Sequence, residues 1–539
     1  MSAASAAGGS LLFPASNVGS ATVRGQSNVP EFAEPPVIRS KDGVLEATLV
    51  AQPQQYTGLG TVTYGGTVPG PTLRLSAGDL LKIKLINHLS EDPNDETSAT
   101  NLHVHGFHVS PVGHGDNVFR HLMPGEEWDF AYQIPEDHPS GLYWYHPHPH
   151  KLTNGQVEGG LAGAIVIEGA IDKLPQTDGV KERLLVIQGF PTSGHVVNGL
   201  VDPTLRIRQG EWQRWRVLNA TGGVFMNLHL DGHVLHRISA DGNVLPQVGD
   251  TDTLLMAPAE RAELLIQGGA PNTDGYALRS LSWSGNPVEF QLATLLVEAE
   301  GLGPDESGAA GAPLAPDLIG SVDLRGADPI QRRVITFRSG FKISHSEDES
   351  AGQLFDPERV DQWVDLGTTE EWVLHNDTNF WHPFHIHVND FQVISSNGED
   401  QMEPFVYYKD TLPLPPKIGD VPGEVVLRIP FLDYAGKFVY HCHILSHEDA
   451  GMMGVVEVVY PIAIGENGFD PVAIEILAET SIRWTNRDTQ SHTVTADDGS
   501  FDSADIAPGD SFVRTFDEPT TVSYHCKNHP NLEATIRVT

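Results

Sequence analysis

The stretch Gly436-Lys437-Phe438-Val439-Tyr440-His441-Cys442-His443 commits both faces of one strand to chemistry. Its aromatic and β-branched residues read as a strand entering a sheet. Side chains alternate across a strand, so His441 and His443 point to one face and Cys442 to the other. A single segment can therefore feed two metal sites on its opposite sides. Cys442, with His447 and Met452 just beyond it, supplies most of a trigonal Cys/His site with a weak axial thioether. That is the donor set of a blue-copper electron-transfer centre. His441 and His443, being imidazoles, can serve a second copper site behind it.

The rest of the chain supplies sheets to receive such a strand. Short alternating runs such as Thr72-Leu73-Arg74-Leu75 and Leu81-Lys82-Ile83-Lys84-Leu85 are separated by Gly/Pro turns such as Val68-Pro69-Gly70-Pro71. This rhythm predicts an all-β protein built of tandem Greek-key sandwiches. With 539 residues the chain has room for roughly three to five ordinary domains. It divides into an N-terminal arm over 1–35, a first sandwich over 36–171, a second over 172–316, a third over 317–461 and a fourth over 462–539. The second repeats the strand rhythm in Leu184-Leu185-Val186-Ile187 and Trp215-Arg216-Val217-Leu218, and ends in a Gly/Ala/Pro-rich linker from Ala299 to Pro316. Its His229, His233 and His236 form no H-x-H pair and read as ordinary polar positions.

Paired histidines recur elsewhere. Thr100-Asn101-Leu102-His103-Val104-His105-Gly106 carries H-x-H-G, Tyr143-Trp144-Tyr145-His146-Pro147-His148 a second H-x-H, and His382-Pro383-Phe384-His385-Ile386-His387 the pattern H-P-x-H-x-H. With H-C-H-x3-H-x4-M from His441 to Met452, this ordered set resembles the multicopper oxidases: laccases, bilirubin oxidases, and cuprous and ferrous oxidases. The resemblance implies cupredoxin sandwiches, three forming the oxidase, with the second a copper-free spacer. The first sandwich has Pro147 where Cys442 sits. The resemblance thus assigns one blue site to the third sandwich and a shared cluster to the interface of first and third.

Reducing dioxygen to water takes four electrons and copper changes by one, so several coppers must act together. By resemblance, His103 and His385 hold a type 2 copper. His105, His146, His148, His387, His441 and His443 hold a type 3 pair. His382, Cys442, His447 and axial Met452 hold the type 1 copper. The expected partners are O2 and a small reducing substrate, a phenol or aromatic amine in the laccase manner. Alternatives are a metallo-oxidase for Cu(I) or Fe(II), or a bilirubin-oxidase-like enzyme. Seven methionines without a cluster give no soft platform for Cu(I), which favours organic donors. Copper nitrite reductases also use cupredoxin domains but lack the paired histidines. A copper-binding electron-transfer or storage protein is the non-enzymatic alternative, and oxygen uptake together with copper counting separates it. Oxygen reduction consumes protons, so a carboxylate should stand near the cluster; Asp116, in Gly115-Asp116-Asn117, and Glu448, beside His447, are the candidates.

The segment 462–539 extends beyond the three-domain pattern. Ile482-Arg483-Trp484-Thr485-Asn486 and Thr521-Val522-Ser523-Tyr524-His525-Cys526 read as two further strands. Ser491-His492-Thr493-Val494 and Cys526-Lys527-Asn528-His529-Pro530 resemble the ligand segments of plastocyanin-like proteins. The resemblance implies a fifth copper, of type 1, on His492, Cys526 and His529. Leu532 stands where such relatives place an axial Met, which would leave three ligands, favour Cu(I) and raise the potential. Such a domain would relay electrons to or from a redox partner protein, ahead of the Cys442 site.

Charge and composition exclude other classes. Against 33 basic residues stand 71 acidic ones, a formal net charge of −38, so no basic face is offered to nucleic acid. The surface is self-repelling, of a kind that high salt would screen. No apolar run approaches the ~20 residues of a spanning helix. The only two cysteines, Cys442 and Cys526, each sit in a candidate copper motif, so the chain reads as disulfide-free. Met1-Ser2-Ala3-Ala4-Ser5-Ala6-Ala7 lacks the charged and apolar regions of an export signal. The resembled family is mostly exported, and the expectation is a periplasmic or secreted protein.

Overall fold

The computed structural model describes residues 29–54, 60–191, 193–299, 318, 322–400 and 406–539. The arm before residue 29 and the linker over 300–316 lie outside the described residues. The fold is all-β, as the strand rhythm predicts. Among the described residues no helix is long and apolar enough to cross a membrane.

Alternation builds the sheets. In Leu80–Asn87, Leu81, Ile83 and Leu85 are fully buried while Lys84 points out and pairs with Glu127 at 2.7 Å. Each such buried side chain contributes about 1.5–3 kcal/mol relative to exposure. Among the described residues, buried side chains of this kind gather into four large cores, lying within 45–167, 185–297, 335–458 and 462–538.

Four strands position the histidines. In the first core β1 (His103–His105) pairs antiparallel with β2 (Gly141–His146), and His103 lies opposite His146. In the third, β3 (His382–Ile386) pairs antiparallel with β4 (Gly436–Cys442), placing His385 opposite His441 and Phe384 opposite Cys442. Each unit thus presents a pair of adjacent histidine strands, and histidines of the two pairs come into contact.

The second unit is held to the first by an apolar seam of Leu142, Trp144 and Val166 against Leu184, Val186 and Leu218. Beside it runs a buried ion network. Arg216 donates to Glu182 at 2.8 Å and to Glu263 at 2.7 Å, and Glu182 also accepts from Arg74 of the first unit at 2.6 Å. Charges out of water are tolerable only when paired in this way.

A long strand, β5 (Met453–Gly465), joins the third core to the fourth. Its first half pairs with β4, Met453 opposite His441 and Val458 opposite Gly436. Its second half pairs in parallel with β6 (Thr480–Asn486), Tyr460 opposite Ile482 and Ile464 opposite Asn486. One sheet therefore runs through both units. At a rise of about 3.3 Å per residue its two ends stand roughly 40 Å apart.

Candidate metal centres

The eight paired histidines converge where the first and third units meet, each no more than 2 % exposed. His105, His146 and His443 form one group, His148, His387 and His441 a second, and His103, His105 and His385 a third, with donor atoms within 4.8 Å of one another in each. Rings from the two units stack in pairs, His103 on His387 and His105 on His385, both with centroids 3.8 Å apart. The H-P-x-H-x-H spacing explains how β3 serves two sites. The odd step from His382 to His385 crosses the strand, so His382 shares the Cys442 face while His385 and His387 share the other.

The donor set fits a metal on two observations. First, His103 Nε2, His105 Nδ1, His146 Nε2, His385 Nε2 and both nitrogens of His443 are buried with no hydrogen-bond partner. Buried polar atoms are rarely left so, and imidazole lone pairs aimed at one point are what a metal satisfies. Second, burial, followed by the repulsion of neighbouring imidazoles, holds His103, His105, His387 and His441 well below the ordinary histidine pKa, and burial carries His146 to about 3. The rings are neutral at neutral pH, the form that binds metal.

Carboxylates orient these rings. Asp116 Oδ2 lies 2.8 Å from His103 Nδ1, and its Oδ1 accepts from the Val104 N–H at 3.0 Å. This fixes the ring so that Nε2 faces the cluster. Burial pushes the Asp116 carboxyl up to about 8, with the Val104 N–H opposing. Glu448 is wholly buried between two cluster histidines, Oε2 3.2 Å from His441 Nδ1 and Oε1 3.6 Å from His148 Nδ1. Burial drives it well above the ordinary carboxylate range.

A third carboxylate escapes the sequence reading. Asp410 Oδ1 lies 3.1 Å from His105 Nε2, which leaves His105 Nδ1 to face the cluster, and the Asp410 backbone carbonyl lies 2.8 Å from His385 Nδ1. Arg261, from the second unit, grips both oxygens of Asp410 at 2.8 and 2.5 Å. Burial alone would raise Asp410; the guanidinium more than offsets it and holds the carboxyl below its ordinary value. The pair also accounts for the glycine of H-x-H-G. A Cβ on Gly106, at φ +85°, would come within 2.4 Å of Arg261 Nη2 and 2.5 Å of Asp410 Oδ2. No local pattern could have shown this, since Asp410 lies 305 positions from His105.

On the opposite face of β4, Cys442 Sγ lies 3.3 Å from His382 Nδ1 and 3.7 Å from His447 Nδ1. Thr378 Oγ1, 2.9 Å from His382 Nε2, turns that ring toward the sulfur. Met452 is buried in the same core as Cys442, and the Cys442 N–H donates to the Met452 carbonyl. Burial brings His382 to about 3 and His447 to about 4. His447 is half-buried, with Phe341 against it. Trp381, next to His382, has its ring 5.3 Å from Trp283 of the second unit, and Phe225 flanks Trp283.

A further group lies in the fourth core. His492 Nδ1 and His529 Nδ1 each stand 3.6 Å from Cys526 Sγ, and the Thr493 N–H points at the same sulfur at 3.3 Å. Asp488 lies 2.8 Å from His492 Nε2, and Gln490 Oε1 3.3 Å from His529 Nε2. Cys442 sits at the Met453 end of β5, whereas Asn486, six residues before His492, pairs at its far end. The fold therefore does not bring Cys526 near Cys442, and a direct handover between the two finds no support in this geometry. Every histidine and cysteine singled out in the sequence falls into one of these groups. His229, His233 and His236 instead lie against Asp252, Asp231 and Asp250.

Three family models described as multicopper oxidase match the chain, over 48–171, 143–295 and 329–460. The chain is 28% identical to the multicopper oxidase mco of Staphylococcus haemolyticus, covering 74% of this chain and 84% of that protein. It is 26% identical to a laccase of Haloferax volcanii, covering 78% and 82%. A solved multicopper oxidase from Campylobacter jejuni, described as a metallo-oxidase, superposes with a TM-score of 0.64 at 27% identity, covering 80% of this chain and 96% of that one. Motifs, buried donor groups and family matches agree: the chain belongs to the multicopper oxidases, copper-dependent oxidoreductases that use O2.

Proposed function

We propose that the protein oxidises small aromatic donors, phenols or aromatic amines, at the Cys442 group and delivers the electrons to O2 at the eight-histidine cluster. His382, Cys442, His447 and Met452 would hold the type 1 copper, and His103 with His385 the type 2 copper. His105, His146 and His443, with His148, His387 and His441, would hold the type 3 pair. Copper, when bound, supplies one-electron redox chemistry at the first site and the four-electron reduction of O2 to water at the cluster. That is a count of four, and His492, Cys526 and His529 offer donors for a fifth.

The protein's own part is connection, positioning and proton supply. Cys442 is joined through its backbone to His441 and His443, so the thiolate and two cluster imidazoles share one short covalent path. Asp116 would hold a proton at Oδ2 beside His103, and Glu448 one between His441 and His148; buried carboxyls near a reacting centre serve this role. The observation that carries the reading is the set of inward-facing histidine nitrogens left without partners. The aromatic wall of Trp381, Trp283 and Phe225 beside His382 favours planar organic donors, which stack on such rings.

Replacing Cys442 by Ser tests the reading. The variant should lose the intense visible band of this site and nearly all oxygen uptake with a phenolic donor, while the histidine cluster still takes up copper. Retained turnover with that donor, or turnover with Fe(II) or Cu(I) alone in the parent protein, would overturn it. Asp116→Asn should slow reoxidation by O2 in rapid-mixing experiments and leave reduction of the type 1 copper nearly unchanged. Reoxidation at the parent rate would reduce Asp116 to a positioning residue.

A further inference from the structure

The fourth core holds a redox-competent donor group that the matches ending at residue 460 do not reach. Its geometry is that of a site built in advance. Two imidazole Nδ1 atoms stand at equal distance, 3.6 Å, from Cys526 Sγ, the rings lie 4.6 Å apart, and the Thr493 N–H is aimed at the sulfur. The sulfur and His492 are buried. The Nε2 atoms are tied back to Asp488 and Gln490, so both Nδ1 atoms are left for the sulfur side. A thiolate with two imidazoles selects copper in a trigonal site. Leu532, the side chain nearest the usual axial place in sequence, packs into the core and has no donor atom.

Position decides what such a site can do. The fourth unit rests on the first through its opposite end, where Glu479 accepts from the Gly113 N–H at 2.9 Å and from Asn117 at 3.2 Å. His492 follows β6 at the other end, beyond the far end of β5 from Cys442. Along β5 the positions opposite His441 and Asn486 are about 36 Å apart, and Cys526 follows the strand Thr520–His525 on the other sheet of the fourth unit, so the fold offers no short route between the two thiols. The shared sheet also prevents the unit from swinging toward Cys442.

The group opens outward instead. His529 is half-buried and flanked by exposed Gln490, Asn528 and Pro530. The rim carries Asp488 and Asp505, with Asp502 paired there to Lys527, and residues 462–539 hold thirteen acidic against five basic side chains. A second copy of this chain, itself at −38, is repelled by such a rim, whereas a basic protein is drawn to it.

We propose that His492, Cys526 and His529 bind a copper that exchanges single electrons, through the His529 edge, with a small basic one-electron carrier protein, and that this copper is not in series with the Cys442 site of its own chain. One electron leaves the reduced carrier and converts Cu(II) to Cu(I); the reverse step returns it to an oxidised carrier. The step moves one electron and makes or breaks no bond.

The test uses the full-length, copper-loaded protein. Cys442→Ser should retain a strong visible thiolate-to-copper band that Cys442→Ser/Cys526→Ser lacks, and this is scored without reference to oxidase activity. Cys526→Ser should bind one copper fewer per chain than the parent, which keeps the assignment testable if Cys442→Ser folds poorly. When the fully reduced parent is mixed with O2, the Cys442 band should return at a rate independent of protein concentration. The Cys526 band should return slowly and in proportion to concentration. Reduced cytochrome c, a basic one-electron carrier, should bleach the Cys526 band of Cys442→Ser at a rate falling about tenfold between low and near-physiological salt. A colourless, copper-replete Cys442→Ser protein with no loss of copper in Cys526→Ser would remove the site. A fast, concentration-independent return of the Cys526 band would put the two coppers in series, and a salt-insensitive reaction with cytochrome c would remove the basic partner.

Discussion

Gly106 shows how tightly one residue can be bound to a site it does not ligate. It follows His105 directly, and its missing side chain is where Arg261 and Asp410 pass. Gly106→Ala would place a methyl group in the left-handed region and against a buried, bidentate ion pair. Backbone strain and disruption of the pair together should cost about 2–5 kcal/mol. The expected outcome is a lowered unfolding midpoint and less copper in the histidine cluster, with the visible band of Cys442 preserved on the other face of its strand. Parent-like stability and copper content would mean that the Arg261–Asp410 pair moves aside freely. That pair also gives the second unit a part in the site without a metal ligand of its own, since its Arg261 sets Asp410 and Asp410 sets His105.

At the scale of elements, what could be read in the sequence was whatever repeats locally. The two-residue period of β4 separated Cys442 from His441 and His443, and the odd spacing in β3 separated His382 from His385. The strand runs at 72–75, 81–85, 184–187 and 215–218 all fall within observed strands. Contacts between units have no period and, apart from the shared histidine cluster that the family resemblance implied, were not legible. Asp410 meets Arg261 across 149 positions, and the passage of β5 from the third core into the fourth looks in sequence like two adjacent strands with no linker. A short helix, α1 (Thr153–Gly159), is held in the same long-range way by Asp449, the last residue of α2 (Leu445–Asp449). Asp449 accepts from the N–H groups of Thr153 at 3.1 Å and Asn154 at 2.9 Å, where a helix N-terminus leaves donors unpaired. Asp449→Ala should therefore lower stability by about 1–3 kcal/mol, measured by denaturant unfolding of the copper-loaded protein. An unchanged midpoint would show that these donors find other partners at no cost.

The molecule as a whole carries −38, and its response to salt follows from where its ion pairs lie. Surface pairs such as Lys84–Glu127 and Arg206–Glu31 are well exposed, and each contributes only about 0–1 kcal/mol, screened by added ions. Arg261–Asp410 and Arg216–Glu263 are buried and feel added salt much less. What remains is repulsion among 71 acidic residues set against 33 basic ones, and this opposes the compact state. At low salt the repulsion reaches across the surface; once the screening length falls below about 10 Å, near 0.1 M, it acts only between close neighbours. Adding NaCl to the copper-loaded protein should therefore raise its unfolding midpoint, with most of the rise complete by a few tenths molar. A midpoint that falls with NaCl would mean that attraction between surface pairs outweighs the net charge, and that the acidic surface exacts no stability in dilute buffer.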